Sequence, residues 1–272
     1  MIRFLMKKTF FNTVDNLVPM VLMNLGYLVL VVAGMALEYA ILYVIQVFVQ
    51  DLPMLPGLAL GHFIFLPVVC FFFVYTGAVS CMTRDMADNK NPRFKDFITY
   101  LKQTWKPSLV FGILNFVLLF VLLVAGIYYL GAMENLLNPL IFFFLAWLFV
   151  FWIAAAQYFF PLQSMFNKSL KKNIKKMFLL LLDNTAFTLF ILLPGAILLL
   201  GLSALTLFVL FSFSTVLLWY NTALKLRMHK YEYLEQNPGA SRRKIPWSTL
   251  LADEKKLLGH RSLRGVFFPD KD

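Results

Sequence analysis

Charge is scarce in this chain, and positive charge is missing from most of its length. Only 14% of the 272 residues are charged, where an ordinary soluble domain carries roughly a quarter. Sixty per cent are hydrophobic, and 30 are phenylalanine. That much apolar surface exceeds what a soluble core of this length encloses, so a free-standing globular domain is excluded and a bilayer is the expected solvent. Cysteine is nearly absent. Cys70 and Cys81 share one apolar segment, and on a helix they lie roughly 16 Å apart, too far to bridge within the chain. No C-x-x-C spacing occurs, so neither a disulfide framework nor a cysteine metal site is expected. Signatures of catalysis are missing as well. There is no G-x-S-x-G, no Walker A sequence and no dinucleotide fingerprint. His62, His229 and His260 are scattered. The apolar segments lack the paired polar groups that intramembrane catalysis demands. The expectation is a non-enzyme with no catalytic, cofactor-binding or metal residue.

The basic residues that do occur are confined to four zones: Arg3 to Lys8, Arg84 to Lys106, Lys168 to Lys176, and Lys225 onward. Three uninterrupted stretches without Lys or Arg separate them, each about right for two crossings at about 20 residues per crossing. The first breaks at Asp51 to Gly57, the second at Gly131 to Pro139, and the third near Gly201. The expected fold class is therefore all-α, a polytopic membrane helical bundle of six transmembrane helices with cytoplasmic amphipathic helices. Its membrane domain covers residues 1–231, with spans at about 17–50, 58–81, 108–130, 140–160, 185–200 and 204–222. Because all 25 basic residues fall on one side of these turns, that side is expected to be cytoplasmic, with both termini. The expected location is the inner (cytoplasmic) membrane of a bacterial cell. The apolar stretch after Lys7 and Lys8 is longer than a signal h-region and is expected to be retained as a span.

A net charge of +11 in a soluble chain would point to nucleic acid. Here the cations flank apolar runs, so anionic headgroups of the cytoplasmic leaflet are the expected partner and nucleic acid is not. Span 1 is longer than one straight crossing needs, so it either bends near Gly34 or extends outside. Glu38 within it, with Asn115 and Gln157, forms the candidate polar membrane site. Asn221, like Asn115 and Gln157, is expected to bond between helices or to face the interface. Pro194-Gly195 could break span 5 as in a transporter site but is expected to be an ordinary membrane-helix pair. Asp183 is expected to pair with Lys175 or Lys176.

Two segments between spans carry a clear pattern. From Pro92 to Lys106, Phe94, Phe97, Ile98, Leu101 and Trp105 recur at helical spacing opposite a basic face, and Pro107 closes the helix. Leu162, Phe166, Leu170, Ile174 and Phe178 step by four, with Lys171, Lys172 and Lys175 on the remaining face. Both patterns suit a helix lying on the inner headgroups, or an aromatic anchor for a protein partner. Residues 232–272 form a cytoplasmic tail, with a turn at Asn237-Pro238-Gly239, a short helix from Ser248 to Leu258, and an aromatic end carrying Arg261 and Arg264. That end is too apolar for a free tail and is expected to fold back onto the bundle or to bind a partner.

The stretch Gln157 to Asp183 (QYFFPLQSMFNKSLKKNIKKMFLLLLD), together with Pro67 and Pro92 to Phe97 (PRFKDF), resembles the YesL-like family of small bacterial membrane proteins. The likeness covers spans 2 to 5. It implies an accessory role near carbohydrate uptake and brings no functional residue with it. The long span 1 and the tail from Arg242 to Asp272 depart from that family. The expected function is a non-enzymatic integral membrane accessory or scaffold protein acting through its cytoplasmic face. The alternative is a small-solute transporter or channel.

Overall fold

The long apolar runs become long helices, because a bilayer leaves backbone N–H and C=O groups no partner except within the helix itself. The computed structural model describes residues 1–48, 54–131, 137–167, 169–206, 209, 212–242 and 245–259. It is an all-α bundle with no strand among the described residues. Helix α1 (Ile2–Asp15) leads through Asn16 into α2 (Leu17–Phe48), followed by α3 (Met54–Ala87), α4 (Phe94–Gly131) and α5 (Leu137–Ala156). Two shorter helices come next, α6 (Phe159–Phe166) and α7 (Leu170–Asp183). Helix α8 (Thr185–Ile197) continues through a π-helical turn, Leu198–Leu202, into the single turn α9 (Ser203–Leu205). Then come α10 (Phe213–Gln236) and, in the tail, α11 (Trp247–Leu250) and α12 (Ala252–Leu258). Five helices, Leu17–Ile45, Gly61–Ala87, Phe94–Leu130, Leu137–Phe166 and Thr185–Leu205, are long and apolar enough to cross a membrane. The chain is a multi-pass membrane protein.

Several boundaries differ from those expected. Helix α2 runs past Gly34 without a break in the helix. Glycine there serves packing, since a Cβ at that position would sit 2.4 Å from Val68 on α3. The amphipathic segment from Pro92 is not a separate helix. It is the first third of α4, which passes straight through Pro107. A proline removes the bond to the carbonyl four residues back, here that of exposed Gln103, where solvent can replace the lost donor. The pattern stepping by four from Leu162 is split in two, because Asn167 takes a left-handed conformation at φ 42° and closes α6. The expected sixth span, Ala204 to Thr222, is interrupted. The helix ends at Leu205, and α10 begins only at Phe213.

Helices α3 and α4 form the central antiparallel pair, with α2 beside α3 and α5 beside α4. Small residues let them close: Gly77 meets Ser108 and Thr104, and Gly112 meets Phe73. Helix α10 lies against α3, α1 and α8. It runs antiparallel to α8, with the Trp219 indole donating to the Ile191 carbonyl at 2.9 Å and Tyr220 beside Gly195. Its first residue, Phe213, packs on Tyr27 and Phe72, each ring 5.0 Å away. The α8–α10 hairpin therefore starts its return only ten residues into α2.

That geometry decides where the core sits. Around Leu5, Met86, Phe159, Met177 and Leu218, helices α1, α6, α7 and α10 close over α2–α5 and exclude solvent. Beyond Tyr27 on α2 and Phe111 on α4, large side chains of α2–α5 such as Tyr39, Tyr43, Tyr128 and Phe143 are exposed. The closed end carries the basic residues.

Candidate functional site

Polar side chains inside the closed end are tied to one another across helices. Asn221 on α10 donates to the Ser80 carbonyl at 3.1 Å and to Thr83 Oγ1 at 3.0 Å, both on α3, and accepts from Ser164 Oγ on α6 at 3.1 Å. The interhelical role expected of Asn221 is what the geometry holds. Asn24 on α2 accepts from Ser214 Oγ at 2.6 Å and donates to the Val209 carbonyl at 3.0 Å. Where water is excluded, an unmade hydrogen bond costs more than a made one yields, so such residues fix which helices meet.

Two clusters of charge lie at this end. The first joins four segments that are far apart in sequence. Glu254 of tail helix α12 contacts Lys8 of α1 and lies 2.7 Å from Lys225 of α10, which in turn lies 2.8 Å from Asp88, just past α3. Lys225 also donates to the Ala87 carbonyl at 3.3 Å. The Lys8 side chain is 2% exposed and that of Glu254 12%. Burial pulls the Lys8 ammonium below its ordinary value, only partly offset by Glu254. For Glu254 burial acts upward, but hydrogen bonds from Lys225 and Lys8 outweigh it and hold the carboxyl below the usual range. Burial likewise acts against the charged Lys225, yet its bonds to Asp88 and Glu254 raise it overall. Two cations face two carboxylates, so the cluster is balanced, as burial of charge requires.

The second cluster surrounds Asp183 at the end of α7. Tyr231 donates to its carboxylate at 2.6 Å, Arg242 of the tail turn lies at 3.4 Å, and Lys230 at 3.9 Å. The partner expected for Asp183 was Lys175 or Lys176, on its own helix. The helical twist carries Lys176 onto the Phe166 ring instead, 4.2 Å away, and α10 and the tail supply the cations. Burial, reinforced by the bond to Asp183, pushes the Tyr231 phenol up to about 12. Arg227, one turn before, stacks over Phe187 at 3.5 Å. A 590 Å³ cavity opens here, lined by Phe166, Leu180, Asp183, Tyr231 and Arg242 among others.

Of the residues singled out from sequence, Phe94, Ile98 and Trp105 are exposed, while Phe97 and Leu101 are half-buried. Phe97 packs on Tyr75 with ring centres 5.3 Å apart, and with Phe94 borders a 470 Å³ cavity between α2 and α4. Lys171, Lys172 and Lys175 are all exposed on one face of α7. Arg261 and Arg264 lie outside the described residues. Glu38, Asn115 and Gln157 are not brought together. Glu38 is on the far part of α2. Asn115 accepts from the Trp152 indole at 2.9 Å, and Gln157 donates to the Ala154 and Thr188 carbonyls. Among the described residues no group of three or more His, Cys, Asp or Glu side chains could hold a metal ion.

Lys8, Asp88, Lys225 and Glu254 were not found from sequence. One signal was available: Leu251, Glu254 and Leu258 share a helix face at i, i+3 and i+7, and the two leucines are buried. A carboxylate on a buried face needs a partner. Comparison with protein-family models, curated proteins and solved structures finds no match to this chain.

Proposed function

We propose that this chain is a non-enzymatic accessory or scaffold protein of the bacterial inner membrane, with both termini and the basic end in the cytoplasm, and that it engages a protein partner there. The observation that carries this reading is the clamp of Glu254 on Lys8 and Lys225. It fixes the tail helix against the first helix and the bundle. Such a clamp makes one composite face out of the two ends of the chain. The buried ionisable groups of that face are paired with one another, which supports a structural role for them over a catalytic one. The exposed aromatic and basic residues of α4 and α7, Phe94, Ile98, Trp105, Lys171 and Lys172, give this face anchors for a partner. The resemblance to the YesL-like family points the same way and adds the link to carbohydrate uptake.

The test uses a photoreactive residue placed singly at Phe94, Trp105 and Lys171, with Tyr39 on the opposite part of α2 as control. The expected result is one and the same protein crosslinked from the first three positions and not from Tyr39, which then co-purifies with the chain in stoichiometric amount. Solute uptake into proteoliposomes holding this chain alone, lost on Gln157→Ala, would refute the reading and establish a transporter.

A further inference from the structure

Helix α1 has two apolar sides, and only one of them is covered. Phe4, Leu5, Phe11 and the Lys8 stem are packed inside. On the other side Ile2, Met6 and Val14 are 40%, 55% and 43% exposed, with Phe10 half-buried between them. These residues step by four, so they form one slightly slanted stripe. The stripe runs on into exposed Leu17 and Val18 at the start of α2, the first membrane-crossing helix. An apolar stripe continuous with a membrane span is covered by hydrocarbon.

Beside that stripe lies a cavity of 840 Å³ between α1 and the tail helix α12. Its floor is apolar, with Met1, Phe4 and Leu258. Its rim is cationic, with Arg3 and Lys7 from α1 and Lys255 and Lys256 from α12, and among the described residues no carboxylate lines it. Glu254 faces away into the bundle, where Lys8 and Lys225 occupy it. Asp253 reaches Lys256 at 3.8 Å across open surface and is not part of the lining. Four cations around an apolar floor, next to a lipid-facing stripe, call for a ligand that is anionic at one end and apolar at the other.

We infer that the cavity between α1 and α12 binds the headgroup of an anionic phospholipid. Arg3, Lys7, Lys255 and Lys256 hold its phosphodiester, and its acyl chains lie along Ile2, Met6, Phe10 and Val14. The volume is within the range of pockets that enclose a small ligand. The lining also selects among lipids. A zwitterionic headgroup brings an ammonium that the cavity's cations repel, and among the described residues no acidic side chain lines the cavity to receive it. This inference rests on the proposed orientation only in that the basic end must meet a headgroup layer. With it, the tail clamp acquires a purpose, because Glu254 holds α12 where its lysines face those of α1.

Native mass spectrometry of the full-length chain, released from detergent with equimolar phosphatidylglycerol and phosphatidylcholine, reads the occupancy directly. The chain is expected to retain phosphatidylglycerol preferentially. At about fivefold per cation, Lys255→Gln with Lys256→Gln should weaken that retention ~25-fold. Lys95→Gln with Lys102→Gln, both exposed on α4, should leave it unchanged, and unchanged thermal melting shows that both variants fold. Equal loss in both pairs, or no preference between the lipids, overturns the site. So does displacement by millimolar inorganic phosphate, which would make it a phosphate site. Crosslinks from Lys7 into residues 260–272 would overturn it too, by assigning the cavity to the chain's own C-terminal segment. Loss of the lipid preference while photocrosslinks to a protein persist removes this inference and leaves the proposed function standing. The reverse pattern removes the protein partner and leaves the lipid site.

Discussion

Replacing Glu254 by glutamine isolates the tail clamp. The substitution keeps shape and removes one negative charge, leaving Lys8 buried without a counter-charge. Lys225 keeps Asp88 at 2.8 Å and loses less. Removing one partner of a buried pair typically costs about 3–5 kcal/mol. Lys8 at 2% side-chain exposure falls within that regime, whereas an exposed pair would cost under about 1 kcal/mol. Opposing this loss is the docking of α12, whose main apolar contribution comes from buried Leu251 and Leu258. Two such side chains supply roughly 3–6 kcal/mol, an upper estimate. The two quantities are comparable, so the tail should detach for a substantial part of the time while the membrane helices remain folded. Limited proteolysis of the segment between Gln236 and Trp247 measures that opening. With fast opening and closing, about 3 kcal/mol corresponds to a ~100-fold faster cleavage at fixed protease. Lys8→Met combined with Glu254→Leu removes both charges and should restore most of the protection, because an apolar pair of similar volume replaces a buried ion pair at little cost. Cleavage of Glu254→Gln at the wild-type rate would refute the reasoning, and so would a double variant no better than the single one.

The same assay gives the pH dependence. Glu254 is held below its unfolded value, so its contribution is present above the ordinary glutamate value of about 4.3 and is lost as pH falls through the depressed one; proteolysis of the tail should accelerate in acid. Lys225 is raised, so its contribution holds below the ordinary lysine value and disappears only as pH rises through the higher one, giving a second, alkaline loss of protection. Asn221→Leu leaves Ser80, Thr83 and Ser164 without their common partner. At about 0.6 kcal/mol per interhelical bond, it should lower stability in detergent by about 1–2 kcal/mol, read by thermal melting. Gly34→Leu puts a side chain where a Cβ alone already meets Val68 at 2.4 Å, and should cost about 1–3 kcal/mol by splaying α2 from α3. Gly239→Ala, with nothing within 4 Å of an added Cβ, is the matched control and should change little.

What was legible in the sequence follows from how local each signal is. Long runs without charge specify membrane helices regardless of what they pack against, so the all-α class and the positions of α2 to α5 could be read directly. The turn read at Asn237-Pro238-Gly239 is present, with the Ala240 amide bonded to the Asn237 carbonyl at 2.9 Å, and it follows a helix, α10, that runs past the expected tail boundary at residue 232. Helix ends were harder, because a breaker acts only in context. Pro107 stops a helix when its lost bond cannot be replaced, and at an exposed turn it can. Asn167 breaks a helix that periodicity reads as continuous. Its side chain accepts from Gln163 Nε2 at 3.1 Å, a contact that spacing does not reveal. The site was least legible of all. Lys8, Asp88, Lys225 and Glu254 are ordinary surface residues by sequence, and they become a cluster only because α1, α3, α10 and α12 converge.

The number of crossings remains to be squared with the charges. The turns at Asp51, Glu134 and Gly201 hold no Lys or Arg, a pattern that the positive-inside rule reads as an even number of crossings, while five helices are long enough to cross. The α8–α10 hairpin reconciles them. From Phe213 to Leu224, about 12 residues precede Lys225, roughly 18 Å of helix, which is short of the ~30 Å hydrocarbon core. Phe213 packs beside Tyr27, ten residues into α2 and thus about 15 Å from its start. The remaining 21 residues of α2 reach about 31 Å further. A hairpin that turns back at that depth enters and leaves by the basic end. We propose on this ground that it crosses zero times net, with α2 to α5 as four full crossings, although Thr185–Leu205 is by length and composition able to cross as well. Asn24 fits this reading, since its bonds to Val209 and Ser214 satisfy backbone and hydroxyl groups at the point where the hairpin returns. Single cysteines in an otherwise cysteine-free chain test it with a membrane-impermeant maleimide on intact cells. Asn138→Cys, in the first turn of α5, should react from outside, and Thr206→Cys should react from neither side until detergent is added. Labelling of Thr206→Cys from outside would show instead that α8 crosses fully, which restores six spans and requires α10 to cross as a tilted or stretched helix.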